Sequence, residues 1–133
     1  MKYLLDTHTF IWALSDLKKL PALVRSIIDD RENTIFVSSI TFWEIAIKVR
    51  RGRLSPIGLP NETTVEAAES MGFLPIPLLP EEAASSKELT EDTHFDPFDR
   101  MLVWQAIKRN LTLISRDTEF SKFAPDGLKI LWK

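Results

Sequence analysis

Short apolar segments alternate with helix-like segments along the whole chain, and this alternation limits the folds that the sequence can adopt. Strands are expected at Tyr3–Leu5, Thr34–Ser38, Phe73–Leu78, Leu111–Ser115 and Leu128–Trp132. Helices are expected at Thr9–Leu14, Ala22–Asp29, Ile40–Arg51, Val65–Met71, Glu81–Leu89 and Pro97–Arg109, with a helical turn at Glu119–Phe123. A loop is expected around Pro56, Gly58 and Pro60. Strands that alternate with helices predict a mainly parallel sheet, covered by helices on both faces.

Length and composition exclude several kinds of protein. The 133 residues show no linker or repeat, so we expect one domain over residues 1–133. The absence of cysteine excludes disulfides, thiolate metal sites and cysteine nucleophiles, and it suits a cytoplasmic protein. No apolar run approaches the ~20 residues that span a bilayer. The formal net charge of −2 means that binding to a polyanion would depend on local basic residues or on metal.

Two acidic residues follow predicted strands. Asp6 ends the first apolar run, and Asp117 comes shortly after the run that ends near Ser115. Open α/β sheets bind ligands beyond the carboxyl ends of their strands, which is where both residues are expected. The alternative is that each aspartate caps the helical segment that follows it, a role that aspartate performs well.

Two further acidic residues lie on apolar stripes of predicted helices. Glu44 shares the helical spacing i, i+3, i+4, i+7 with Ile40, Trp43 and Ile47. Asp99 leads a similar stripe in the helix that begins at Pro97. A carboxylate in such a stripe is costly unless it is paired, so the alternative for Glu44 is an ion pair or a side chain that reaches solvent.

Two aspartates, Asp96 and Asp99, lie at the start of this helix. Asp99 falls in the first turn of the helix, where the helix dipole favours an anion. Asp96 stands just before Pro97 and is expected to cap the same helix, with a place at the site left open.

Four carboxylates brought together would be stabilised by a cation. Carboxylates without a cysteine or histidine set favour hard cations such as Mg²⁺ or Mn²⁺. Such a metal lowers the pKa of a bound water and neutralises charge on a leaving oxygen. The pattern therefore indicates metal-dependent hydrolysis of a phosphodiester.

The chain resembles PIN-domain ribonucleases, in particular the VapC-like toxins of bacterial toxin–antitoxin pairs. The resemblance covers nearly the whole chain and rests on LLDTHTFIW (4–12), SSITFWEIAIK (38–48), HFDPFDRMLVWQA (94–106) and LTLISRD (111–117). It implies a three-layer α/β/α sandwich with a central, mainly parallel twisted sheet. It also implies Mg²⁺- or Mn²⁺-dependent cleavage of RNA, inhibition by a cognate antitoxin, and a homodimer.

The resemblance also implies the residues of the site. Carried over position by position, the catalytic and metal-binding acids are Asp6, Glu44, Asp99 and Asp117. The third position has an alternative in Asp96, but helix phase favours Asp99. The small polar residues that flank the first and last acids are present as Thr7 or Thr9 and as Ser115, where they would position water or phosphate.

Basic residues near these acids are candidates for contacts with RNA phosphates. The candidates are Lys48, Arg50, Arg51 and Arg53 at the end of one helix, and Arg100 and Arg116 beside two of the acids. The alternatives are a solvated helix end matched to its dipole and ion pairs with the acids.

Histidines and aromatic residues are given structural roles. His8 and His94 lack metal-ligand spacing and are expected to form structural hydrogen bonds. Most aromatic residues are expected in the core. The segment Phe10–Trp12 and Phe42 have an alternative role in a dimer or antitoxin interface.

Two other functions compete with a ribonuclease. A haloacid-dehalogenase-type phosphatase also starts with an aspartate after a strand, but it needs a second aspartate where this chain has His8. A non-catalytic module that binds RNA or protein would keep the fold without the chemistry. Because all four acids are present, we predict an active endoribonuclease.

Overall fold

The computed structural model describes residues 1–54 and 63–133. The loop predicted at Pro56, Gly58 and Pro60 lies outside the described residues. The strands are β1 (Lys2–Leu5), β2 (Thr34–Ser38), β3 (Leu74–Ile76), β4 (Thr112–Ile114) and β5 (Lys129–Leu131). The α-helices are α1 (Thr7–Ser15), α2 (Ala22–Asp29), α3 (Ser39–Arg50), α4 (Thr64–Ser70), α5 (Pro80–Ser85) and α6 (Pro97–Lys108). Segments of 3₁₀-helix cover Leu17–Lys19, Ser86–Glu88 and Thr118–Asp126.

The five strands form one parallel sheet in the order β3-β2-β1-β4-β5. The chain builds one half of the sheet outward from β1, then crosses to β4 on its other side. This reversal makes the carboxyl ends of β1 and β4 a topological switch point, where open α/β sheets bind ligands. Leu5 pairs with Ile114 there, and the Asp6 N–H donates to the Ile114 carbonyl at 3.1 Å.

Helices cover both faces of the sheet, as predicted. Side chains alternate along β1, so Tyr3 and Leu5 face one core and Leu4 faces the other. The first core includes apolar side chains of α1, α2, α3 and α4, and the second includes those of α6 and the 3₁₀ segment at 118–126. The predicted three-layer α/β/α sandwich is therefore confirmed. None of the helices in residues 1–54 and 63–133 is long and apolar enough to cross a membrane.

Most elements lie where the sequence predicts them, and the differences have local causes. Helix α1 begins at Thr7, two residues earlier than predicted, because the side chain of Asp6 caps it. The predicted strand Phe73–Leu78 shortens to β3, where Pro75 and Pro77 limit the pairing because proline has no N–H to donate. The predicted helix Glu81–Leu89 turns into a 3₁₀ segment after Ser85.

The predicted apolar face of α3 is partly wrong. Trp43 is 58% exposed and packs edge-on against Phe98, whereas Glu44 is only 4% exposed. The residues that α3 buries are Ile40, Thr41, Glu44 and Ile45. The helix therefore turns a face containing a carboxylate and a hydroxyl toward the interior, and the Trp43 side chain toward solvent.

Candidate active site

All of the acids singled out in the sequence line one cavity at the carboxyl edge of the sheet. The cavity measures about 100 Å³. Its walls are formed by Asp6, Thr7, His8, Glu44, Lys48, Asp96, Asp99, Asp117 and Phe120. These residues come from the ends of β1 and β4 and from α1, α3 and α6, so the fold collects side chains that are far apart in the chain.

Asp6 connects the end of β1 to the start of α1. Its Oδ1 accepts the Thr9 N–H at 2.8 Å, and its Oδ2 accepts the Ser115 hydroxyl at 2.5 Å. Burial raises the pKa of Asp6, although the hydrogen bonds from Ser115 and Thr9 oppose that effect. The sequence leaves two alternatives for Asp6, a helix cap or a residue of the site. In the structure, the Asp6 carboxylate caps α1 and also lines the acidic cavity.

The Glu44 carboxylate is buried, and each of its two oxygens has a polar partner. Its Oε1 accepts the Thr7 hydroxyl at 2.7 Å, and its Oε2 forms an ion pair with Lys48 Nζ at 2.5 Å. The hydroxyls of Thr7 and Thr41 lie 3.2 Å apart, which extends the polar contacts one step further into α3. These partners explain how a carboxylate can occupy the buried face of α3.

Asp99 occupies the first turn of α6, and its Oδ2 lies 2.9 Å from His94 Nε2. Burial raises the pKa of Asp99 to about 6, against the effect of the hydrogen bond with His94. The negative charges of Asp96 and Glu44 add to the increase. The carboxylates of this cavity therefore already repel one another.

Asp96 and Asp117 are more exposed and cap the elements that follow them. Asp96 Oδ1 accepts the Asp99 N–H at 2.9 Å, as expected of a residue that caps α6. Asp117 Oδ1 accepts the Glu119 N–H at 2.9 Å, and its own N–H donates to Ser115 Oγ at 3.0 Å. Because the Ser115 hydroxyl also donates to Asp6, it links the first and the last acids of the set.

The basic residues separate into different roles. Lys48 pairs with Glu44 inside the cavity, whereas Arg51 ends α3 without lining it. Arg100 Nη1 donates to the backbone carbonyls of Glu91 and His94 at 2.7 and 3.0 Å, so it fixes the segment that carries His94. The contacts of these side chains with phosphate stay predictions.

The two threonines after Asp6 also have different roles. Thr7 faces Glu44, whereas the Thr9 hydroxyl donates to the Ile114 carbonyl and is fully buried. Thr7 is therefore the one that lines the cavity.

Two residues contribute more to the site than sequence reasoning indicated. The sequence predicts a structural hydrogen bond for His94, and in the structure its partner is Asp99, which lies five residues further on. The His94 ring stacks on Phe120 with the ring centroids 5.7 Å apart, a contact that no spacing in the sequence reveals. Thr41 is not among the site residues that the sequence predicts, but it lies three residues before Glu44, and helical periodicity places both on one face.

The type of donor suits a hard cation, but the side chains are held apart. Among residues 1–54 and 63–133, no three acidic or histidine side chains are close enough to enclose one metal ion. Asp6, Glu44 and Asp99 are each oriented by their own hydrogen-bond partners. The positive charge within the cavity is supplied by the Lys48 ammonium group.

A second, larger cavity adjoins the first. It measures about 500 Å³ and is lined by Asp6, His8, Trp12, Arg116, Asp117 and Thr118. Three of these residues, Asp6, His8 and Asp117, line both cavities. The acidic cavity therefore opens at one side toward an aromatic ring and an exposed arginine.

Comparison with solved structures shows the same fold in toxin–antitoxin proteins. VapBC2 from Rickettsia felis, bound to a DNA fragment from their promoter, matches with a TM-score of 0.72 and 20% identity over 100% of both chains. VapBC-1 from nontypeable Haemophilus influenzae matches with a TM-score of 0.68 and 18% identity, covering 98% of this chain and 97% of the other. VapBC-5 from Mycobacterium tuberculosis matches with a TM-score of 0.59 and 20% identity, covering 99% and 98%.

Sequence comparison gives the family. No curated protein matches the chain significantly in sequence. The family model described as "PIN domain" matches residues 3–125, which include every acid of the cavity. The chain belongs to the PIN-domain family.

Proposed function

We propose that this protein is a metal-dependent endoribonuclease and the toxin of a toxin–antitoxin pair. The observation that carries the proposal is the convergence of Asp6, Glu44, Asp99 and Asp117 on one cavity at the switch point of the sheet. Membership of the PIN-domain family supports hydrolysis of nucleic acid. It also argues against the haloacid-dehalogenase alternative.

The proposed cofactor is Mg²⁺ or Mn²⁺, with the same four acids as its candidate ligands. Because no three of them enclose one ion, one or two would bind the metal directly, and water and phosphate oxygens would complete its coordination. Oxygen donors without cysteine fit a hard cation, and the Lys48 ammonium group beside Glu44 shows that the cavity already accommodates positive charge. When bound, the metal would activate a water molecule and neutralise charge on the leaving oxygen. Asp96 is adjacent but caps α6, so we assign it to the helix first.

The surrounding residues orient the acids and the substrate. Ser115 holds Asp6, and Thr7 holds Glu44. Arg116 is exposed at the edge of the site and is a proposed phosphate contact. Further proposed contacts are Lys48 on α3, which pairs with Glu44, and Arg51, which follows α3. Arg100 acts indirectly, because its guanidinium is bonded to the backbone that carries His94.

The partners follow from the proteins that share the fold. The solved structures include VapBC proteins and FitAB bound to a DNA fragment, and one is described as a member of the VapBC family of toxin–antitoxin systems. We therefore propose a cognate antitoxin as the protein partner. From the resemblance to VapC-like toxins we also propose a homodimer as the assembly and the cytoplasm as the location. We also propose that residues 1–133 act as one domain.

The test is cleavage of total cellular RNA by the purified, antitoxin-free protein with Mg²⁺, with Mn²⁺ and with EDTA. Discrete fragments that vanish with EDTA and in Asp99→Asn are expected. Asp96→Asn is the matched control, because asparagine caps a helix as well as aspartate does, and it should keep most of the activity. The absence of cleavage by folded protein would favour a non-catalytic module that binds RNA or protein.

A further inference from the structure

We propose that the larger cavity beside the acids binds one unpaired base of the RNA, stacked against Trp12 and Arg116. The inference rests on the proposed function and names the form of its substrate, which is a single strand at the cleavage site. A base paired in a duplex does not expose its face, so a stacking site of this kind selects unpaired RNA.

The position of the cavity supports this inference. Its volume of about 500 Å³ lies within the range of ~300–1,000 Å³ that is typical of small-ligand sites. Because Asp6, His8 and Asp117 line both cavities, a strand with a phosphate at the acids would carry its neighbouring nucleotide into the larger one.

The chemistry of the wall supports it further. The Arg116 guanidinium lies 5.9 Å from the centroid of the Trp12 ring, and Lys19 Nζ lies 5.6 Å from it. Among the aromatic rings in the described parts of the chain, Trp12 is the one that two cations approach. Both cations lie over the ring, so a base that stacks on the indole would take the place of one of them. A ring that stacks on the base and cations that attract the phosphates match the two parts of a nucleotide.

Core packing alone does not account for Trp12. The indole packs against the core beside Trp132, with their centroids 6.0 Å apart, but it stays partly exposed and lines the cavity. Trp43, which is more exposed than Trp12, packs against Phe98 and lies outside the larger cavity. A protein partner would not need the two cations at the Trp12 ring, whereas a chain of net charge −2 needs local cations to bind RNA.

The experiment measures binding of a short, dye-labelled, single-stranded RNA to the Asp99→Asn protein, so that cleavage does not interfere. The same RNA is then made with one abasic nucleotide at successive positions. One position should weaken binding by roughly 5- to 150-fold, which is the range for loss of one stacked base. In the Trp12→Leu background, the abasic change at that position should have no further effect. Arg116→Gln should weaken binding of the intact RNA and reduce its salt dependence.

Further variants keep the test decisive. Trp12→Phe keeps an aromatic face and should keep most of the abasic effect. If Trp12→Leu does not fold, Trp12→Met takes its place, because its long apolar side chain fills more of the same volume without an aromatic face. Trp43→Leu and Arg25→Gln change an exposed tryptophan and an exposed arginine outside the cavity, and both should behave as the parent protein.

The outcomes separate this inference from the proposed function. An abasic effect of equal size with and without the Trp12 side chain would overturn the base site. Cleavage of RNA without any abasic effect on binding would overturn the base site alone. Binding that depends on Trp12 and on one base, in a protein that cleaves no RNA, would support the base site and overturn the nuclease.

Discussion

Lys48 Nζ lies 2.5 Å from Glu44 Oε2, one helical turn along α3, and places a positive charge in the acidic cavity. The Glu44 side chain is 5% exposed and that of Lys48 is 33% exposed. The ion pair is therefore mostly shielded from water, and it neutralises a carboxylate that would otherwise be costly to bury.

Replacing Lys48 with glutamine should make stability depend on metal. Loss of the ammonium group leaves Glu44 without its cation. The free energy of unfolding of the metal-free variant should therefore be about 1–3 kcal/mol lower than that of the parent protein. Added Mn²⁺ should restore more stability to the variant than to the parent protein, because the metal replaces the lost charge. Urea unfolding with Mn²⁺ and with EDTA measures both effects.

The matched control is Lys122→Gln. Lys122 pairs with Glu119 at 3.3 Å, and both side chains are exposed at 40% and 59%. Such a pair contributes little to stability and should show no response to Mn²⁺. A Lys48→Gln protein that is insensitive to Mn²⁺ would contradict the idea that Lys48 occupies a cation position.

The raised pKa of Asp99 gives a second prediction, for the metal-free protein. The folded state holds the proton of the Asp99 carboxyl group more tightly than the unfolded state does, because folding raises the pKa of Asp99 from 3.8 to about 6. The contribution of Asp99 to stability should therefore fall as the pH rises from about 4 to about 6. Melting temperatures across this range, in EDTA, should fall less steeply with rising pH for Asp99→Asn than for the parent.

Bound metal should reverse this dependence of stability on pH. Because carboxylate ligands must lose their protons, Mn²⁺ should stabilise the parent protein more at pH 7 than at pH 5. Identical pH slopes for the parent and Asp99→Asn would show that the environment of Asp99 does not raise its pKa.

The sequence indicates these acids because each lies shortly after an apolar strand segment or on the apolar stripe of a predicted helix. Asp6 ends an apolar strand, and a parallel sheet fixes where such an end must lie. Helical periodicity correctly predicts that Glu44 faces the interior, but it wrongly predicts the same for Trp43. Adjacent positions on a helix differ by about 100°, so a spacing of three to four residues defines a face only coarsely.

The contact between His94 and Asp99 could not be predicted from spacing. It depends on the course of the segment before α6. Asp126 holds that segment by accepting the N–H and hydroxyl of Thr90 at 2.9 and 2.7 Å. A contact fixed by residues 36 positions apart has no signature in a single sequence.

A third prediction concerns Ser115, whose hydroxyl joins two acids of the set. Ser115→Ala removes the donor to Asp6 and the acceptor of the Asp117 N–H. Loss of such an orienting partner should lower metal affinity or RNA cleavage by about 10- to 100-fold. Mn²⁺ titration and cleavage rates measure the two effects.

Ser39→Ala is the control for this prediction. The Ser39 hydroxyl also makes one partly buried hydrogen bond, to the Ile76 carbonyl at 3.0 Å, but it lies outside the acidic cavity. It should affect stability and leave cleavage unchanged. Equal losses of activity in the two variants would refute a specific role for Ser115.

The fourth prediction uses a buried acid that is remote from the site. Glu82 accepts hydrogen bonds from Arg109 at 2.7 and 2.9 Å and from Gln105 at 3.1 Å. Burial tends to raise the pKa of Glu82, but the hydrogen bonds from Arg109, Leu79 and Gln105 together lower it to about 2. A lowered pKa stabilises the folded state above pH 4.5, and this contribution is lost as the pH falls toward 2.

Glu82→Gln should therefore lower the free energy of unfolding at pH 7 by about 2–3 kcal/mol, with a smaller difference from the parent at pH 3. Urea unfolding at the two pH values measures the change. Glu81→Gln, at the exposed neighbouring position, should be neutral at both. RNA cleavage at pH 7 by the folded Glu82→Gln protein should stay unchanged, since Glu82 lies outside both cavities at the carboxyl edge. A stability difference that does not shrink in acid would mean that the ionised carboxylate is not what stabilises this contact.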